Sequence, residues 1–137
     1  GTNSVSLGTG TVAGSPGSTR SNIVAVGLRT TVTGNSTNSI NIGSKNSISN
    51  NKESVAVGSS NIISGSGTRG IALGIQNVVS REGIAIGRSN RSTKSQLVMG
   101  VGNVSAPASG NGDWEITIGS LEVIENKLSV FQQTQLI

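Results

Sequence analysis

Five cations recur at one phase of this chain. Arg20, Lys52, Arg69, Arg81 and Lys94 each stand five to seven residues before a glycine that closes a triplet of apolar, small and apolar residues. The chemistry open to such a set is attraction of anions: carboxylates, sulfates or phosphates carried by an extended partner such as an acidic glycan, lipopolysaccharide or matrix protein. Lys and Arg also have a structural use at the corners of a sheet, where charge discourages edge-to-edge aggregation. Glu53 and Glu82 sit beside Lys52 and Arg81 and soften the field. Both uses are open on sequence.

Covalent chemistry has little to work with. The chain has no Cys and no His, which removes disulfides, thiolate nucleophiles, Cys/His zinc sites and the commonest general base. Serine is plentiful but lacks a base to activate it. The carboxylates are isolated or next to bases and form no oxygen cage for a metal. No catalytic, cofactor-binding or metal-binding residue is assigned, and the chain is read as non-enzymatic. Gly65, Gly67 and Gly70 spell GxGxxG, but a dinucleotide site needs that motif to open a helix, and here it runs into Ile71-Ala72-Leu73. Asn35, Asn90 and Asn103 head N-x-S/T triplets that arise freely in so Asn- and Ser-rich a chain. Specific nucleic-acid binding is not expected, because no aromatic platform accompanies the charge: the aromatic residues are Trp114 and Phe131.

The cations must be positioned by the repeated triplets themselves. The chain has 137 residues and 20 glycines, and one beat returns through it. It sounds as Val5-Ser6-Leu7-Gly8, Val24-Ala25-Val26-Gly27, Ile40-Asn41-Ile42-Gly43 and Val55-Ala56-Val57-Gly58. It continues as Ile71-Ala72-Leu73-Gly74, Ile84-Ala85-Ile86-Gly87, Leu97-Val98-Met99-Gly100 and Ile116-Thr117-Ile118-Gly119. The glycines are spaced by 19, 16, 15, 16, 13, 13 and 19 residues. Apolar residues two apart put two large side chains on one face of a strand, and glycine supplies a bend. Asn46, Asn61, Asn77, Asn90 and Asn103 follow three residues after a glycine, and Asn tolerates tight turns. Apolar Ile48, Ile62, Val78 and Val104 come next. One unit therefore reads strand, corner, short strand, corner, which stacks as a parallel β-solenoid.

The beats "ESVAVG", "NSINIG", "NSVSLG", "RGIALG" and "EGIAIG" resemble the head repeat of trimeric autotransporter adhesins of the YadA type. The resemblance runs from residue 3 to about 105. It implies an all-β, left-handed parallel β-roll of three chains side by side, borne on a stalk at the bacterial cell surface and binding host matrix or cell-surface proteins and glycans. Similar repeats occur in phage fibres, so a tail-fibre or spike segment recognising bacterial surface glycans is the alternative. The family's usual neck sequence and membrane-anchor barrel are not found. Ice binding calls for a regular Thr ladder, and the Thr residues keep no sequence register.

The outer apolar pair of each beat is expected to face the core. The middle residues then point the other way, and Ala25, Asn41, Ala56, Ala72 and Ala85 become the candidate trimer contact. Asn41 on that face would need its symmetry mates, an ion or water as partners, unless it simply faces solvent.

Residues 1–112 are expected to form the head. They carry nine Lys/Arg against Glu53 and Glu82, whereas residues 113–137 carry Lys127 against Asp113, Glu115, Glu122 and Glu125. That second segment reads as a last coil, capped by Trp114, and a connector. Leu121, Ile124, Leu128, Phe131 and Gln135 fit coiled-coil spacing, while Val123-Ile124 and Leu128-Ser129-Val130 around "ENK" fit a hairpin. No stretch is long and apolar enough to span a bilayer, so membrane insertion by this segment is not expected.

Overall fold

A computed structural model describes residues 3–14, 22–93, 96–104 and 115–119. Arg20, Lys94, Trp114 and the connector after residue 119 lie outside the described residues. All regular structure among those described is strand. The chain alternates between two sheets: β1 (Val5–Leu7) then β2 (Val12–Ala13), β3 (Val24–Leu28) then β4 (Thr31–Thr33), β5 (Ile40–Ser44) then β6 (Ser47–Lys52). It goes on through β7 (Val55–Ser59) and β8 (Ile62–Thr68), β9 (Ile71–Ile75) and β10 (Val78–Ser80), β11 (Ile84–Arg88) and β12 (Arg91–Ser92). Strands β13 (Gln96–Val101) and β14 (Glu115–Ile118) follow.

Every strand pairs in parallel with its counterpart one coil away. The result is an eight-stranded sheet β1-β3-β5-β7-β9-β11-β13-β14 facing a six-stranded sheet β2-β4-β6-β8-β10-β12. The repeat is therefore a β-solenoid. Register is kept beat for beat: Val24, Ile40, Val55, Ile71, Ile84 and Leu97 pair in sequence, as do the glycines from Gly27 to Gly100.

The core is lined the other way round from the sequence expectation. The middle residues Ala25, Ala56, Ala72, Ala85 and Val98 are completely buried, and so is Asn41. Their flanking partners face outward, with Ile40 and Ile42 each 40% exposed. The facing wall explains the inversion. Val32, Ile48, Ile63 and Val79 project inward from the smaller sheet and are also fully buried. Opposed to these large side chains in a thin coil, the larger sheet has room only for small ones, and close packing selects alanine. On the smaller sheet the inward residue stands two places after the corner, so Ile62 and Val104 are exposed and Ile63 is buried.

The beat glycine is not the corner either. Gly27, Gly43, Gly58, Gly74 and Gly87 sit inside strands with φ between 119° and 134°. A Cβ at Gly58 would overlap the carbonyl oxygen of Gly74 in the next coil, and the same collision recurs at each neighbouring beat glycine. The turn comes two residues later, where Arg29, Lys45, Ser60, Gln76 and Ser89 adopt left-handed φ of 53° to 56°.

The next residue is the Asn, and it points in. Asn61 donates through Nδ2 to Val57 O (3.1 Å) and to Gly74 O (2.8 Å). Its Oδ1 accepts the backbone N–H of Asn77 (3.1 Å). Asn46, Asn77 and Asn90 repeat this pattern, forming a buried ladder along one corner. Each rung satisfies backbone groups that the turn leaves without partners.

Two substitutions separate the contributions. Gly58→Ala forces a side chain into fixed backbone and is expected to cost about 3 kcal/mol or more. Asn61→Ala strands three buried groups and is expected to cost about 2–4 kcal/mol. Thermal unfolding followed by circular dichroism reads both, and an unchanged midpoint in either variant counts against the corresponding column.

Candidate functional site

A chain with this interior has its functional groups outside, on two outer faces and two corners. The outer face of the larger sheet is aliphatic. It presents Val24 and Val26, Ile40 and Ile42, Val55 and Val57, Ile71 and Leu73, Ile84 and Ile86 in two parallel columns. Stacking on in-register neighbours about 4.8 Å away half-covers most of them, and the stripe remains open toward solvent. The smaller sheet's outer face is mixed, with Thr31, Ser47, the exposed Ile62 and Val78 in one column and hydroxyls in the other. Thr33, Ser49, Ser64 and Ser80 align across its strands, and Thr31 Oγ1 donates to Ser47 Oγ (3.3 Å).

Ala25, Asn41, Ala56, Ala72 and Ala85 are therefore not on a face that a second chain can touch. They lie inside a single coil, and the surface-facing residues of the same strands are the Val and Ile flanks. Asn41 resolves differently from both sequence expectations. It neither faces solvent nor reaches outward: its Nδ2 donates to Thr31 O (2.9 Å) and Asn46 O (3.2 Å) within the chain.

Lys52, Arg69 and Arg81 are all exposed along the corner between the smaller and larger sheets. They do not stack in one register. Lys52 pairs with Thr68, the N–H of Arg69 donates to Lys52 O one coil away, and Arg81 lies under Gly67, whose Cβ position is 2.7 Å from Arg81 Cα. Arg69 also approaches Glu82, with 4.0 Å between Nη2 and Oε1. What the corner brings together is a set of mixed charge, with Lys52 making no ion pair among the described residues.

This corner is also where the coil is irregular. Strands β6 and β8 run to Lys52 and Thr68, whereas β10 stops at Ser80, and the register between β6 and β8 shifts between Ser49 and Asn51. The coils ending at Gly43, Gly58 and Gly74 have 16, 15 and 16 residues, and the next two have 13. The longer coils form a shoulder above the shorter ones. Asn51 pins it from inside: its Nδ2 donates to Arg81 O (3.0 Å), and its Oδ1 accepts from Ser54 Oγ (2.5 Å). The GxGxxG segment supplies the tight fit, since Gly67 lies against the Arg81 backbone and a Cβ at Gly70 would press on Ile63 (2.7 Å).

The shoulder encloses an open groove of about 470 Å³ lined by Asn35, Asn50, Lys52, Ser66, Thr68 and Glu82, with Gly67 in its wall. Only Lys52 was singled out as a ligand residue from sequence. The others come from four coils, and the one hint of them is the change in spacing between successive glycines. Thr68 Oγ1 donates to Glu82 Oε1 (3.2 Å), which fixes the carboxylate at one side of the groove. No protein family, curated protein or solved structure matches this chain.

Glu82→Gln is expected to change stability by no more than about 1 kcal/mol, because its ion pair is exposed and long. Asn51→Ala is expected to cost about 2–4 kcal/mol, since it orphans buried groups beneath the shoulder. Denaturant unfolding of the two variants side by side checks the ranking, and equal losses would show that the shoulder is not held from within.

Proposed function

We propose that this chain is the head segment of a YadA-type cell-surface adhesin, a non-enzymatic homotrimer displayed outside the bacterial cell that attaches to host matrix or cell-surface molecules. One observation carries this reading: the two-wide aliphatic stripe on the outer face of the larger sheet. Monomeric proteins rarely expose a continuous apolar strip of this extent, and a large one marks an association surface. The occupant best matched to it is the same stripe on sister chains. It keeps the same register at every coil from Val24 to Ile86 and lacks charge in its centre, while Arg69 and Glu82 stand at its margin beside Ile71 and Ile84. An apolar centre with a charged rim is the usual anatomy of a stable interface.

The repeat supports attachment over catalysis. A stacked coil offers a long surface with many small polar groups, suited to an extended partner bound through repeated weak contacts. The resemblance of the beats to the adhesin head supplies the owner, and a phage tail-fibre segment would use the same assembly toward bacterial glycans. Genomic neighbours separate the two: a downstream outer-membrane anchor accompanies an adhesin, tail genes a fibre.

Light scattering on the full chain is expected to give three times the chain mass of 13.7 kDa. Replacing Ile42 and Val57 with Asp in one variant buries charges at the interface centre. With a cost of about 2–5 kcal/mol per unpaired charge, it is expected to yield monomers and abolish attachment to immobilised matrix proteins or cultured cells. A wild-type monomer sinks the assembly, and a trimer without affinity for any host surface sinks the adhesin.

A further inference from the structure

We propose that the groove at the long-coil shoulder is a binding site for a carboxylated pyranose, a uronic- or sialic-acid-like unit of an acidic glycan; it rests on the attachment function and assigns it a ligand. The lining is polar, with no large apolar side chain in it. A ligand that binds there must satisfy hydroxyl and amide groups rather than fill an oily pocket. Its volume of about 470 Å³ is at the lower end of small-molecule sites, which run from about 300 to 1,000 Å³.

Charge orients the occupant. The Lys52 ammonium has no carboxylate partner among the described residues and can take the ligand's carboxylate as a charge-assisted hydrogen bond. Glu82 stands at the other side, held by Thr68, and as a carboxylate it accepts from hydroxyls and repels anions. Lys52 pairs with Thr68 and Glu82 belongs to the following coil, so their backbones are about two coil spacings apart, roughly 10 Å, while the bond to Thr68 draws the Glu82 carboxylate back toward the Thr68 coil. A pyranose with a carboxylate at one edge and hydroxyls at the opposite edge can place one hydrogen bond on each of the two groups, the long Lys52 side chain adjusting its reach. Between them Asn50 Oδ1 already accepts the Asn35 backbone N–H (3.1 Å), which leaves the Asn50 Nδ2, the Asn35 side-chain amide and the Ser66 hydroxyl to offer donors and acceptors to the ring hydroxyls.

Competing ligands fit less well. A phosphate or sulfate chain brings multiple negative charges against Glu82 and meets a single cation, Lys52, among the described residues that line the groove. A peptide with one acidic and one basic side chain matches the charges but finds no apolar wall for its aliphatic stems. The shoulder is also rigid in its support, since Asn51 and Ser54 are buried beneath it, so the site is formed before the ligand arrives.

The test is saturation-transfer NMR and a competition titration on the full-length chain, with sodium glucuronate and N-acetylneuraminate as the two acidic probes. Glucose, acetate and a Lys-Gly-Asp tripeptide serve as comparators. At least one acidic sugar is expected to bind with a Kd of about 1 mM, and which of the two binds more tightly identifies the source of the carboxylated ring. Lys52→Gln and Glu82→Gln are each expected to weaken that binding about tenfold, while Lys45→Gln, at the opposite corner, leaves it intact. Absence of binding by either acidic sugar overturns the site. So does equal binding of acetate, tighter binding of the tripeptide, or a loss in Lys45→Gln equal to that in Lys52→Gln. The titration reads the groove independently of assembly: a monomer that takes up glucuronate through Lys52 keeps the site and loses the trimer, and an attaching trimer blind to both sugars does the reverse.

Discussion

A beat glycine such as Gly58 faces the carbonyl oxygen of the glycine one coil on, so closely that no side chain fits between them. That approach repeats from Gly27 to Gly87 and sets how tightly the coils stack. Glycine at φ near 120° gives the strand a local kink that other residues adopt only under strain. The kink brings the next three residues around the corner, which places the Asn side chain inside. There its Nδ2 reaches both the strand before it and the glycine carbonyl of the coil beyond. Glycine and Asn thus act together from Gly43 onward, while Gly27 makes the same close approach with Thr30 in the Asn position.

The device determines which wall of the coil carries bulk. With the corner filled by Asn, or by Thr30 ahead of Val32, the first inward position on the smaller sheet is two residues later, where Val32, Ile48, Ile63 and Val79 sit. Their side chains occupy the thin interior, so the larger sheet contributes alanine. The Val and Ile flanks that remain are directed outward by simple alternation. An aliphatic exterior on one sheet, and on the other an exterior that mixes Ser and Thr with Ile62 and Val78, then follow from the same register. The coil is stable in one direction by stacking and is left with an apolar face that stacking cannot cover.

The solenoid was legible in the sequence because period and punctuation survive without any knowledge of packing: beat glycines, the Asn three residues later, and apolar pairs two apart. Its inside-out sense was not. Large apolar residues at alternate positions mark one face of a strand but do not say which face is interior, and the choice depends on what the opposite wall contributes. The competing signal was present in Ile63 and Val79, one residue beyond the Ile62 and Val78 that periodicity favoured. The basic residues were legible as exposed corner charges, yet their alignment was not: Lys52 and Arg81 both stand six residues before their glycines, but β6 and β8 run on to Lys52 and Thr68 whereas β10 stops at Ser80, so equal spacing in sequence does not give equal register. Asn35, Asn50, Ser66 and Thr68 resemble dozens of other small polar residues in this chain, and only the folded shoulder distinguishes them.

A perfectly regular solenoid has a difficulty as a recognition surface: every coil looks like the next, so a ligand can slide by one rung at almost no cost. Between Gly27 and Gly100, three longer coils followed by two shorter ones break that symmetry at one place. The break costs regularity in the β6 and β8 pairing and is offset by Asn51, Ser54 and a run of glycines that let the chain fold back on itself. It produces the concavity lined by both the Lys52 ammonium and the Glu82 carboxylate that Thr68 holds. Uniform coils supply the rigid, self-associating scaffold; the departure from uniformity supplies an address on it. A chain whose coils all had 13 residues would keep the first property and have no shoulder to carry the second.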